Sequence, residues 1–237
     1  MYKAIFFDLD GTLVKMDTFK VFFPEYIKGL MGELLPLAKD AQKLKEAFWY
    51  GVKKMCQNDG TRRNSEVYWD AFFEMIDKTH AEKYEAVCDE FYRGKFNLIS
   101  KFADENPDAR RAIEAARSGG RYVVLATSPL LPRIAQVNRA GWVGLSESDF
   151  DIITDYDSES FCKPSPNYYL SLCERLGVDP QECLMIGNDE GDDMMGASLA
   201  GLDCYLVDDY LIENKDFHWE GRRGSFTQMI EYLESIK

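Results

Sequence analysis

The chain has 237 residues, 46% of them hydrophobic, and a formal net charge of −13, so it holds enough apolar material for a globular core and is neither disordered nor fibrous. The acidic balance argues against nucleic acid and anionic membrane surfaces as partners, because phosphate groups attract the basic patches that are missing here. The first apolar run is interrupted by Asp8, nothing approaches the length of a membrane span, and the cysteines (Cys56, Cys88, Cys162, Cys173, Cys183, Cys204) are scattered without a C-x-x-C pair; this reads as a soluble cytoplasmic protein with reduced, mostly buried thiols. Two histidines, His80 and His218, leave little room for histidine-based catalysis.

The run Ala4-Ile5-Phe6-Phe7 has strand length and empties into Asp8-Leu9-Asp10-Gly11-Thr12, the pattern of a central strand that delivers two carboxylates at its carboxyl end. Gly11 permits a tight turn, and Thr12 offers a hydroxyl and an amide to an anion. Helical periodicity follows. Phe19, Phe22, Phe23, Tyr26, Ile27 and Leu30 form one stripe, and Leu37, Ala41, Leu44, Phe48, Val52 and Met55 a second. Tyr68 to Ile76 and Tyr84 to Phe91 mark two further helices, the last ending near Gly94. No strand pattern occurs from Lys15 to Phe96, which predicts a helical bundle inserted after the first strand. Its aromatic stripes are read as bundle core rather than as a ligand box, and the pair Arg62-Arg63 as a solvated loop rather than an anion contact.

Beyond the insertion, Asn106-Pro107-Asp108 predicts a capped helix that ends at Gly119-Gly120. The run Tyr122 to Ala126 is a second strand, ending in the hydroxyl pair Thr127-Ser128. A helix from about Pro132 to Ala140, a short strand over Phe150 to Thr154, a loop delivering Lys163-Pro164, and a helix to Leu176 follow. The strand Glu182 to Ile186 ends in Gly187-Asn188-Asp189-Glu190-Gly191-Asp192-Asp193, and a helix closing at Gly201, a strand from Cys204 to Val207 and a last helix from near Ser225 complete the chain. Alternation of strand and helix from Ala103 onward implies an α/β fold: a Rossmann-like, doubly wound parallel sheet.

In such a sheet the carboxyl ends of neighbouring strands converge on one crevice. Asp8, Asp10 and the acidic Asn188 to Asp193 loop offer the oxygen ligands that magnesium prefers. Thr127 and Lys163 offer a hydroxyl and an ammonium to a phosphoryl group.

The order of these motifs resembles the haloacid dehalogenase superfamily, whose hydrolases carry D-x-D-G-T, a Thr or Ser after the second core strand, a Lys before a helix, and an acidic G-D loop. The resemblance implies a core over residues 1–14 and 97–237 and a helical cap over 15–96. It implies magnesium-dependent hydrolysis of a small phosphorylated metabolite, with Asp8 as the nucleophile that forms an aspartyl-phosphate and Asp10 as acid and then base. Gly11, Thr12, Thr127, Ser128 and Lys163 would bind the phosphoryl group, and Asp8, Asp10, Asn188, Asp189 and Asp193 would supply the metal site. A phosphomutase, or a non-catalytic phosphate-binding member, is the alternative. The family's usual Asp directly after the loop glycine is Asn188 here, so either Asn188 or Asp189 takes that place.

Overall fold

A computed structural model describes residues 1–236; Lys237, the last residue of the expected core, lies outside the described residues. Strand β1 (Ala4–Phe7) occupies the middle of the sheet with all four side chains buried, as expected of a parallel strand covered on both faces. It is flanked by β2 (Tyr122–Leu125) and β4 (Cys183–Gly187), with Phe7 opposite Leu125 on one side and Ile186 on the other. With β3 (Ile152–Ile153), β5 (Asp203–Val207) and β6 (Arg223–Gly224), the order is β3-β2-β1-β4-β5-β6, and every pairing is parallel. β3 is shorter than the predicted strand, yet its extended pairing continues: Asp151 N donates to Val123 O at 2.8 Å and Thr154 N to Leu125 O at 3.1 Å.

The two-residue period of a strand sorts the core. Ile5 and Phe7 point to one face, where they join the aromatic residues of the insertion and helices α5 (Ala109–Arg117) and α9 (Phe226–Ser235). Ala4 and Phe6 point to the other, against α7 (Pro166–Leu176) and α8 (Gly196–Leu199). Helix α6 (Arg133–Trp142) follows β2. Each fully buried phenylalanine contributes roughly 1.5–3 kcal/mol of apolar transfer.

The insertion is helical throughout its main elements: α1 (Phe23–Leu34), α2 (Ala41–Cys56), α3 (Asn64–Met75) and α4 (Ala81–Arg93). Asp40 starts α2 by accepting from Gln42 N at 2.9 Å and Lys43 N at 3.0 Å, which satisfies two donors that the helix itself leaves free. A 3₁₀ stretch, Lys95–Phe102, leads back to the core. There Asp104 N donates to Lys15 O at 2.8 Å, pinning the outgoing and returning chains together.

One predicted start is corrected. Helix α5 begins at Ala109, not at Pro107, because Asn106 does not act as its cap. The Asn106 amide instead donates to Leu13 O at 2.8 Å, so this buried side chain braces the loop that follows β1. No helix among the described residues is long and apolar enough to cross a membrane.

Candidate active site

The carboxyl ends of β1, β2 and β4, and the loop before α7, meet on one side of the sheet. Lys163 is the junction. Its ammonium donates to Asp8 Oδ1 at 2.9 Å and to Asp193 Oδ1 at 2.6 Å, and it is almost wholly buried. Burial alone would depress the lysine, but the two carboxylates reverse that and hold it charged well above the ordinary lysine range. Burial pushes the Asp8 carboxyl upward, and the Lys163 ammonium opposes that rise. The other Asp193 oxygen accepts from Asn188 N and Asp189 N, each at 3.0 Å. Asp193 thus holds both the lysine and the loop backbone. Gly187 makes room for it, since a Cβ there would stand 2.1 Å from Asp193 Oδ2.

Asp10 meets a residue that the sequence reading missed. Arg139, on α6, donates from Nη1 to Asp10 Oδ2 and from Nη2 to Gln136 Oε1, and its guanidinium lies 5.0 Å from the centre of the Phe22 ring. It is buried to within 2% of its surface. The available signal was an arginine on the inward side of an amphipathic helix, between Ala135 and Ala140, where an unpaired charge is costly.

Around this pair, Gly11 has φ +82°, and a Cβ on it would collide with the Asn188 amide at 2.3 Å, so only glycine lets the two loops close. Thr12 Oγ1 donates to Asn188 Oδ1 at 3.2 Å, and Asn188 Nδ2 donates to Tyr210 O at 2.6 Å. Asp189 caps the turn that follows it, accepting from Gly191 N at 2.7 Å and Asp192 N at 2.9 Å; burial, with Asp193 and Asp192 nearby, pushes it up to about 6. Thr127 is buried, and its carbonyl accepts from Thr154 Oγ1 at 2.7 Å and Tyr168 OH at 2.9 Å, which fixes the end of β2. Ser128 Oγ stands 3.4 Å from Asp192 Oδ2, a residue that the sequence reading left out of the site. Glu190 turns away: it accepts from Asn214 N and Trp219 N at 3.0 Å and stands 3.2 Å from His218 Nδ1. The structure does not bring Arg62 or Arg63 to the site. Arg62 pairs with Asp70 at 2.7 Å, and Arg63 donates to Ser158 O.

Asp8, Asp10, Thr127, Ser128, Lys163, Asn188, Asp189 and Asp193 all line one cavity of about 240 Å³. Much of the rest of its wall comes from the insertion, including Phe22, Tyr26, Phe48 and Trp69, with Leu130, Leu131, Arg139 and Tyr156 added from the core segments. The aromatic stripes are therefore both bundle core and cavity wall, which corrects their reading as core alone: helical periodicity marks the inward face but not whether protein or a void lies beyond it.

The oxygen donors on the floor suit a hard divalent cation. Among the described residues Asp10 Oδ1 is buried with no hydrogen-bond partner, and an orphaned carboxylate oxygen of this kind fits a cation ligand. Among the described residues no three acidic, histidine or cysteine side chains form a ready cluster; the neutral oxygen of Asn188 is a further candidate ligand beside the carboxylates.

Residues 2–201 match the haloacid dehalogenase-like hydrolase family. The chain is 24% identical over 244 residues to a glyceraldehyde 3-phosphate phosphatase of Methanothermobacter thermautotrophicus, covering 100% of this chain and 99% of that one. It is 26% identical over 203 residues to a phosphorylated carbohydrates phosphatase of Thermotoga maritima, covering 85% and 82%. Its fold is similar to that of CbbY from Rhodobacter sphaeroides solved with phosphate, with TM-score 0.62 and 19% identity over 97% of this chain and 96% of that one. With a family match that runs through all four strand-end motifs, the chain belongs to the haloacid dehalogenase-like hydrolases.

Proposed function

We propose that this phosphatase-type hydrolase cleaves a small phosphomonoester in the presence of magnesium, through an aspartyl-phosphate on Asp8. The observation that carries the reading is the meeting of Asp8, Asp10 and Lys163 on the floor of one cavity, with Lys163 2.9 Å from Asp8. An Asp8 oxygen attacks phosphorus while the bond to the departing alcohol oxygen breaks, and Asp10, which is ion-paired with Arg139 in the resting structure and takes up a proton before this step, gives that oxygen a proton. Asp10, now ionised, takes a proton from water, which attacks the aspartyl-phosphate, frees inorganic phosphate and restores Asp8. Lys163 and the Thr127 and Ser128 groups take up charge on the phosphoryl oxygens. A magnesium ion held by Asp8, Asp10 and the Asn188-Asp189 pair would neutralise the repulsion between the Asp8 carboxylate and the phosphate dianion.

In this reading residues 15–96 are a cap that excludes water over a core of 1–14 and 97–237, and the acidic chain with its free thiols works in the cytoplasm. The relatives named for glyceraldehyde 3-phosphate and for phosphorylated carbohydrates support phosphomonoester chemistry. Release of inorganic phosphate from a panel of phosphomonoesters, with and without chelator, tests the proposal. Full activity in excess EDTA, or formation of an isomeric phosphate in place of free phosphate, would overturn it.

A further inference from the structure

The names of relatives point to carbohydrate phosphates, yet the space above the floor is built for something else. Among the described residues that line the cavity, the insertion supplies Thr18, Cys88, aliphatic side chains and aromatic rings, with no carboxylate, amide or cation. Vicinal sugar hydroxyls are well held by side chains of those missing kinds, carboxylates accepting, cations donating and amides doing both. The polar atoms present are single hydroxyls and indole N–H groups, among them those of Tyr68, Trp49 and Trp69, and some are committed. Tyr26 OH and Tyr92 OH bond each other at 2.6 Å, and Thr18 Oγ1 is a buried hydroxyl with no partner among the described residues. Among the described residues the one cation on the wall away from Lys163 is Arg139, which is taken up by Asp10, Gln136 and the face of Phe22.

From this composition we infer that the substrate is a phosphomonoester with an apolar, preferably aromatic, leaving group, seated between the rings of α1, α2 and α3. The inference rests on the hydrolase reading above and names the substrate class of that same site. A polyol entering here gives up its water and regains few hydrogen bonds, whereas a ring loses little solvation and gains offset or edge contacts with Phe22, Phe48 and Trp69. The volume of about 240 Å³ lies below the lower end of drug-sized pockets, about 300 Å³, so the leaving group is one ring or two fused rings. Phe19 is 60% and Trp49 43% exposed, and both line the cavity; apolar rings held in water at the same cavity suit an entering apolar group.

The test compares 2-phenylethyl phosphate with glycerol 3-phosphate and glucose 6-phosphate. All three release an alkoxide, so leaving-group chemistry does not mask binding. Wild-type enzyme with magnesium should show kcat/KM at least ~10-fold higher for the phenylethyl ester, on the scale by which apolar pockets discriminate, and Trp69→Gln should narrow that ratio. Equal values, or a preference for the polyols, would overturn the inference while leaving the hydrolase reading intact. Failure to hydrolyse any ester would overturn the hydrolase reading instead. Quenching of the Trp49 and Trp69 fluorescence then decides the cavity by itself: tighter binding of 2-phenylethylphosphonate than of methylphosphonate supports it, and equal binding overturns it.

Discussion

The guanidinium of Arg139 is ion-paired with the Asp10 carboxylate inside the protein, with Phe22 stacked over it. Removing one member of a buried pair strands the other, at a cost of about 3–5 kcal/mol. Arg139→Met should therefore lower stability by roughly that amount, and adding Asp10→Asn should recover part of it, because the two sites are coupled. Urea unfolding of the three variants checks this. A midpoint unchanged in Arg139→Met would show that the pair contributes nothing. Turnover in the same variant should fall about 10- to 100-fold, the scale seen when a group that orients a reacting residue is removed.

Asp8→Asn should abolish turnover and leave the fold intact. The amide is no nucleophile, but its oxygen can still accept from Lys163, and Asp193 continues to hold the ammonium at 2.6 Å. The readouts are phosphate release and the melting temperature. Substantial turnover in a preparation free of wild type would move the nucleophile elsewhere.

For the acidic loop, the hydrogen bonds separate two substitutions that look equivalent in sequence. Asn188 Nδ2 donates to Tyr210 O at 2.6 Å, so Asn188→Asp places a carboxylate oxygen against a carbonyl oxygen and should destabilise the loop by about 1–3 kcal/mol. Asp189 uses Oδ1 for its turn and makes no protein hydrogen bond through Oδ2 among the described residues. Asp189→Asn should raise the magnesium needed for half-maximal activity ~10- to 100-fold. Magnesium titrations and thermal melts on both variants give the answer; a tighter magnesium requirement in a fully stable Asn188→Asp would contradict this account.

Glu190 makes stability depend on acid. Burial alone would raise its carboxyl, but the amides of Asn214 and Trp219 and the His218 ring more than offset that and hold it below the ordinary carboxylate range. A carboxylate whose folded pKa is depressed stabilises the fold above its unfolded pKa, about 4.3, and loses that contribution as pH falls through the lower folded value. Glu190→Gln should cost about 1.5–3 kcal/mol at pH 7, and the gap from wild type should shrink below about pH 4. Denaturant midpoints across pH 3–7 measure it; a gap independent of pH would mean that shape, not charge, is what Glu190 supplies.

Apart from β6, whose two residues are too short to carry a pattern, the order of the main elements and the four strand-end motifs were legible along the chain, because both are local. The run Ala4 to Phe7 has the length and apolar continuity of a strand buried on both faces, and the structure sets its end beside the ends of β2 and β4. Three matters waited for the tertiary structure. Asp193 proved to be the holder of Lys163 and of two loop amides, a role set by Gly187 letting the side chain fold back. Arg139 joined the site from a helix whose periodicity marks it only as inward. The same stripes of Phe22, Tyr26 and Phe48 that predicted a bundle turned out to wall the cavity. Periodicity records which side of a helix avoids water, and packing between distant elements alone decides whether that side meets another side chain or the space left for a substrate.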